Sequence, residues 1–446
     1  MSYKIEVQPN AVDKVIKKHL LRDGYDMVMD LEKSQGVYVY DSKNDRKLLD
    51  FFTCFATIPV GYNHPKMADD EEFKKSLLAA ALINPSNSDI YTTQFAQFLE
   101  TFSKIGIPDY LNHAFFISGG ALAVENALKV AMDWKVQKNY QKGYTHEVGH
   151  QILHFKESFH GRSGYTMSLT NTDPAKTNNF AQFNWPRISN PKIKYPESPE
   201  NNKDLIEREK LTIRQIQQAF LERKDEIAAI IIEPIQCEGG DHHFRKEFFE
   251  NLRIIADENE ALLIYDEVQV GVGITGKFWC HQHFGDNTRP DIITFGKKMQ
   301  TCGILVGNRV DEVPNNCFNV SSRINSTWGG NLADFVRSTR ILQIIEEDKL
   351  IENAHKTGTY FLNQLTDLHK KHPKLTNIRG RGLIVSFDFP TPDLRNEFIK
   401  QGFSHGAMFL GCSTHSIRFR PALTITPAEI DKGIEIINNL LKTIGL

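Results

Sequence analysis

The sequence predicts an α/β fold, a mostly parallel sheet with a smaller α+β unit, and three features predict it. Short, mainly apolar runs recur through the middle of the chain at Ala114–Ile117, Gln151–Phe155, Ile227–Ile232, Ala261–Val268 and Asp291–Phe295. Between them lie stretches with apolar residues every three or four positions, as at Ala121–Trp134 and Arg245–Glu258. Buried strands alternating with amphipathic helices form a parallel sheet covered on both faces. The third feature is length. At 446 residues the chain exceeds one simple core, so two or three folded parts are expected.

The remaining elements flank this region. Gly36–Asp41 alternates as a strand, turns at 42–45 and returns through Leu48–Phe52, which makes a hairpin. Pro196–Asp204 is a polar loop, and Leu205–Arg223 a helix whose charges alternate in sign, the pattern of a solvated face. Leu332–Glu346 is a long helix leading out of the sheet. Arg381–Phe387 and Ser416–Phe419 are the strands of the smaller unit.

Composition excludes several classes of protein. A formal net charge of −2 gives no general attraction to nucleic acid or acidic membranes. The apolar runs are too brief to cross a bilayer, and the opening MSYKIEVQPN lacks the pattern of a secretory signal. Six scattered cysteines without a C-x-x-C pair read as reduced thiols, so a cytoplasmic protein without a structural metal is expected. The histidines at 242, 243, 281 and 283 have no partner at metal-ligand spacing.

Three motifs carry chemistry. The run ALLIYDEV at 261–268 is a buried strand ending in carboxylates, with Asp266 and Val268 on one face at its C-terminal end. Ligands bind at that end of open α/β sheets. An aspartate there can hold a protonated pyridine nitrogen, although a lone strand-end aspartate more often caps a turn. DIITFGK at 291–297 brings Lys297 to the end of a second strand, where partial burial lowers an amine's pKa and makes it nucleophilic. Lys298 must point elsewhere. In FISGGALAVENALK at 116–129 a strand passes through a glycine turn into a helix, and Gly120 and Ala121 offer free N–H groups for a phosphate. Phe159 in FHGR at 159–162 could stack on a ring. The G-x-G-x-x-G match at 271–276 also follows a strand, but no amphipathic helix follows it, so it reads as a loop.

The glycine turn, YDEVQ at 265–269 and FGK at 295–297, in that order, resemble the class III, fold-type I aminotransferases from about Gly36 to the C-terminus. Within that class, FHGRSGYT at 159–166, EPIQCEGGD at 233–241, FGKK at 295–298 and NSTWGGN at 325–331 are most similar to the lysine-specific (lysine ε-) aminotransferases. The resemblance implies a seven-stranded sheet in a large domain, residues 71–335. The smaller domain is then built from residues 1–70 and 336–446. It implies pyridoxal 5'-phosphate bound to Lys297, which then acts as acid and base. Asp266 would hold the ring nitrogen, Phe159 and Val268 the ring, and Gln269 would lie near the phenolic oxygen. Gly120 and Ala121 would bind the phosphate together with Thr327 of a neighbouring subunit, making a homodimer with shared sites.

By the same resemblance the substrates are L-lysine, 2-oxoglutarate and L-glutamate. Glutamate brings a carboxylate to the reacting carbon and lysine's ε-amine does not. Arg418 would bind that carboxylate, Glu238 would mask Arg418 when lysine binds, and Arg162 would anchor the far carboxylate. Cys237 stands where the class usually has glycine. Taken alone, Arg418 and Glu238 read as ordinary salt-bridge and surface residues. An ornithine or 4-aminobutyrate aminotransferase, an aminomutase and a non-catalytic fold-type I binding protein are the competing readings.

Overall fold

The structure, a computed structural model, describes residues 5–446. At its centre is a seven-stranded sheet of β1 (His113–Ile117), β2 (Gln151–Phe155), β3 (Arg187–Ile188), β4 (Ile227–Ile232), β5 (Leu262–Asp266), β6 (Ile292–Phe295) and β7 (Cys302–Val306). Their order is β1-β7-β6-β5-β4-β2-β3. Only β7 runs against its neighbours β6 and β1. All the other pairings are parallel.

The period of two in these strands sorts the core into two layers. Leu262, Ile264, Ile292 and Ile304 pack with Val124, Ala127, Leu128 and Trp134 of the helix Gly120–Gln141. Leu263, Tyr265, Ile293 and Leu305 face the other way, toward Phe248, Phe249 and Leu252 of the helix Lys246–Glu258. Both faces of the sheet are therefore covered. Each strand's C-terminal end is left free for polar groups.

Residues from both ends of the chain share a smaller sheet. Met29–Gln35, Tyr38–Asp41 and Arg46–Asp50 form an antiparallel meander, and Ala407–Met408 adds to it in parallel. A third sheet joins Thr376–Arg381, Ile384–Asp388, Leu410–Cys412 and Ser416–Phe419. No helix among the described residues is long and apolar enough to cross a membrane.

Several boundaries differ from expectation for local reasons. β5 stops at Asp266 rather than Val268, because Val268 N–H turns back to Asp266 Oδ1 at 3.1 Å. The expected loop 196–204 becomes helical from Pro199, where Ser198 Oγ accepts from Asn201 N–H and proline occupies the first turn. The expected strand Arg381–Phe387 is two strands, broken at Gly382, whose φ of 56° suits glycine. The glycines at 271–276 lie in a loop closed by Gly273 N–H on Phe278 O, and only a short 3-10 turn, Cys280–His283, follows them. Buried Glu267 fixes that loop, accepting from Cys280 N–H and from the backbone and ring of His281. Hence His281 has a structural role.

Candidate active site

Five parallel strands end around one cavity, and each delivers a group to it. β5 ends in Asp266, whose side chain is buried. Asp266 Oδ1 accepts from Thr294 Oγ1 at 2.9 Å, and Oδ2 lies 2.8 Å from His160 Nδ1. β6 exits through Gly296, where a Cβ would come within 2.8 Å of Cys302 Sγ. Lys297 follows with φ 49°, in the left-handed region that costs a residue with a side chain about 1–2 kcal/mol. Its amine is held below the usual lysine range by burial first and then by the positive Arg418.

Lys298 leaves in another direction. Its ammonium donates to Gln269 O at 2.7 Å, and the residue is buried rather than on the surface. Burial and the neighbouring Lys297 push its pKa down to about 7. It lines neither of the cavities described here. Of the two amines, only that of Lys297 faces open space.

An inner cavity of about 350 Å³ is lined by Gly120, Ala121, Phe159, Asp266, Val268, Gln269 and Lys297, among others. The 22-residue helix Gly120–Gln141 begins there with Gly119 as N-cap, and no side chain caps it. Nothing lies within 4 Å of a Cβ built on Gly119. Gly120 and Ala121 of its first turn line the cavity, where an anion can complete their N–H groups. Uncapped amides at one end, a buried carboxylate at the other, a phenylalanine ring and a lysine between them fit pyridoxal 5'-phosphate. Gly161 closes up behind, since a Cβ there would sit 2.6 Å from Ala121 Cβ.

An outer cavity of about 670 Å³ opens from the same lysine and includes Phe55, Arg162, Lys176, Glu238, Gln269 and Arg418. Phe55 stands on a turn in which residues 53–56 all have positive φ, a strained conformation of the kind found at functional sites. Arg418 is buried on the strand Ser416–Phe419, and its Nη1 donates to Gln269 Oε1 at 3.2 Å. Its Nε has no hydrogen-bond partner among the described residues. Glu238 stands on the short turn Cys237–Gly240 after β4 and forms no ion pair with Arg418 here, the released arrangement of the expected gate. It pairs with Lys176 and accepts from Thr172 Oγ1 at 3.3 Å. Both partners come from the 172–176 loop, which lines the same cavity. Thr327 is exposed and lines neither cavity of its own chain.

Three further residues build the site. Glu233, fully buried, accepts from Phe159 N–H at 2.9 Å and Cys237 N–H at 3.2 Å, tying the Phe159 loop to the Glu238 turn. Burial, and then the nearby Asp266, raise its pKa well above the carboxylate range. An acid directly after an all-apolar strand was its signal in the sequence. His160 supports Asp266 and was legible only as the neighbour of Phe159. Lys176 had no sequence signal.

A model of the class-III aminotransferases matches residues 21–441. The L-lysine-epsilon aminotransferase of Streptomyces clavuligerus is 46% identical over 427 residues, covering 95% of this chain and 92% of that protein. The protein of that name from Mycobacterium tuberculosis is 46% identical over 437 residues, covering 98% and 96%. A solved structure of lysine aminotransferase from M. tuberculosis superposes with a TM-score of 0.96 at 45% identity, covering 98% of this chain and all of that one. The chain belongs to the class-III aminotransferases.

Proposed function

We propose that this aminotransferase moves the ε-amino group of L-lysine to 2-oxoglutarate. The products are L-glutamate and 2-aminoadipate 6-semialdehyde, which closes to piperideine-6-carboxylate. The similarity to lysine-epsilon aminotransferases over nearly the whole chain supports this reading. So does one feature of the site: Arg418, a buried guanidinium with an unused N–H and no carboxylate on it, shares a cavity with a carboxylate that could cover it.

The cofactor of the family, pyridoxal 5'-phosphate, supplies when bound a carbonyl that takes up the amino group and a protonated ring that withdraws electrons. Gly120 and Ala121 N–H groups would hold its phosphate, and Phe159 and Val268, which line the same cavity, would flank its ring. Asp266, oriented by His160 and Thr294, would keep the proton on the ring nitrogen. Gln269, on the wall of the same cavity, would serve the phenolic oxygen. Lys297 would anchor the cofactor, and its Nζ, set free when the substrate amine takes its place, would carry the proton from the carbon bearing the transferred amine.

The remaining residues handle two unlike substrates. Arg418 takes the α-carboxylate of glutamate or 2-oxoglutarate through two parallel hydrogen bonds. Glu238 covers Arg418 when lysine arrives without a carboxylate at its ε-carbon. Arg162 holds the distal carboxylate of either substrate. Lysine and glutamate differ by a charge at the reacting carbon, and a movable acid over a fixed arginine accommodates both.

The working unit in this reading is a homodimer in the cytoplasm, in which the partner subunit's Thr327 completes the phosphate site. Exposed Leu78, Leu82, Ile83, Tyr91 and Trp328 support a protein partner over this part of the surface. The test is a comparison of amino donors with 2-oxoglutarate as acceptor. Lysine is expected to give glutamate in equal amount, with kcat/KM at least about tenfold above ornithine and 4-aminobutyrate. Faster turnover with either of those donors would overturn the assignment.

A further inference from the structure

We infer that Lys176 determines specificity by competing with Arg418 for Glu238, thereby holding Arg418 open for a 2-oxo or 2-amino dicarboxylate. This deepens the two-substrate reading above and rests on it. The carrying observation is which charges are paired. Glu238 is occupied by Lys176, and Thr172 Oγ1 donates to the same carboxylate oxygen at 3.3 Å. Arg418, in the same cavity, forms no ion pair among the described residues. It has only the neutral Gln269 amide, at 3.2 Å, and a buried Nε without a partner. A planar guanidinium left in that condition is a ready receptor for a carboxylate.

Lys176 is held where it can do this. It ends the short turn Pro174–Lys176, which Asp173 caps by accepting from Ala175 N–H at 2.9 Å. Its ammonium also donates to Thr172 Oγ1 at 3.2 Å and lies 5.7 Å from the centre of the Phe159 ring. The Lys176 and Glu238 side chains are 17% and 18% exposed, so solvent screens the pair only in part. Binding of a dicarboxylate leaves that pair intact, since Arg418 and Arg162 are already available. Covering Arg418 for lysine requires Glu238 to leave Lys176. The pair therefore tilts the protein toward its dicarboxylate partners, by the difference between two carboxylate–cation contacts.

Separate half-reactions test this on the holoenzyme, by single turnover with lysine and with glutamate. In Lys176→Met and Lys176→Gln the ratio of glutamate to lysine kcat/KM is expected to fall roughly fivefold, the scale of a partly screened ion pair. The change appears chiefly in the glutamate KM, and Lys176→Arg restores the ratio. Calorimetric affinity for glutarate, an unreactive dicarboxylate, falls in parallel in the Met and Gln variants. In a Glu238→Gln background Lys176→Met no longer moves the ratio, because the contested carboxylate is gone. Equal losses on both substrates, or a full shift that persists in the Glu238→Gln background, would overturn the inference. Unchanged glutarate affinity in Lys176→Met overturns it whichever amine donor proves correct. A wild-type protein that ignores lysine overturns the function proposed above instead.

Discussion

His160 Nδ1 lies 2.8 Å from Asp266 Oδ2, with both side chains buried at the C-terminal end of β5. Asp266 thus has one oxygen fixed by a ring nitrogen and the other by Thr294 Oγ1 and Val268 N–H. A carboxylate oriented from both sides cannot rotate away from a ring placed in the inner cavity. Asp266→Asn is therefore expected to retain the cofactor's absorbance while turnover falls by at least about 100-fold. His160→Ala is expected to fall between this variant and wild type, since it loosens the carboxylate without removing it. Near-normal turnover in Asp266→Asn would show that this residue only supports the fold.

The adjacent lysines separate cleanly by experiment. Lys297→Ala is expected to lose any cofactor fixed to the protein by borohydride, as followed by mass spectrometry. Lys298→Ala is expected to keep it, because that ammonium is engaged with Gln269 O and faces neither cavity.

Lys298 also makes a prediction about pH. Its pKa is about 7 in the folded protein, below the ordinary 10.5 it regains on unfolding. Between these values the unfolded chain binds more protons, so this residue's contribution to stability rises with pH from 7 to 10.5. Below pH 7 the penalty for burying the charge is fully present, and above 10.5 it is absent. Between pH 7.5 and 9.5, wild-type unfolding free energy should rise more steeply than that of Lys298→Met, by up to about 1.4 kcal/mol per pH unit. Parallel slopes from urea titrations at the two pH values would refute the assignment.

Arg418→Ala divides the two substrates. With Arg418 as the proposed carboxylate receptor, its removal is expected to lower kcat/KM for glutamate and 2-oxoglutarate by at least about 30-fold. The lysine half-reaction should change far less, because lysine brings no carboxylate to that position. Glu238→Ala is expected to slow lysine more than glutamate. Stopped-flow absorbance of each half-reaction separates these effects from overall turnover.

Asp266, Lys297 and Gly120, the candidate site residues read from their motifs, share one property: each stands at a fixed offset from the end of an apolar run. Asp266 closes β5, Lys297 follows β6 after one glycine, and Gly120 follows β1 through a turn. In a parallel sheet such offsets become positions, because every strand ends at the same edge. β7 escaped notice because Cys302 and Gly303 dilute its apolar run, and its antiparallel direction breaks the alternation. The Glu238–Lys176 contact escaped for a different reason. It joins residues 62 apart on two loops, and side-chain reach decided it rather than periodicity. Arg418 was named as a site residue, but nothing along the chain showed that its Nε would stay unsatisfied.

The left-handed backbone at Lys297 ties the reacting amine to the rigidity of the sheet below it. A lysine at φ 49° stays there only while β6 and β7 remain paired and Gly296 stays pressed toward Cys302. Slight loosening of those strands relaxes the backbone and swings the amine out of line, well before any helix melts. Heat should therefore silence the enzyme before it unfolds it, with activity fading several degrees below the loss of helical signal.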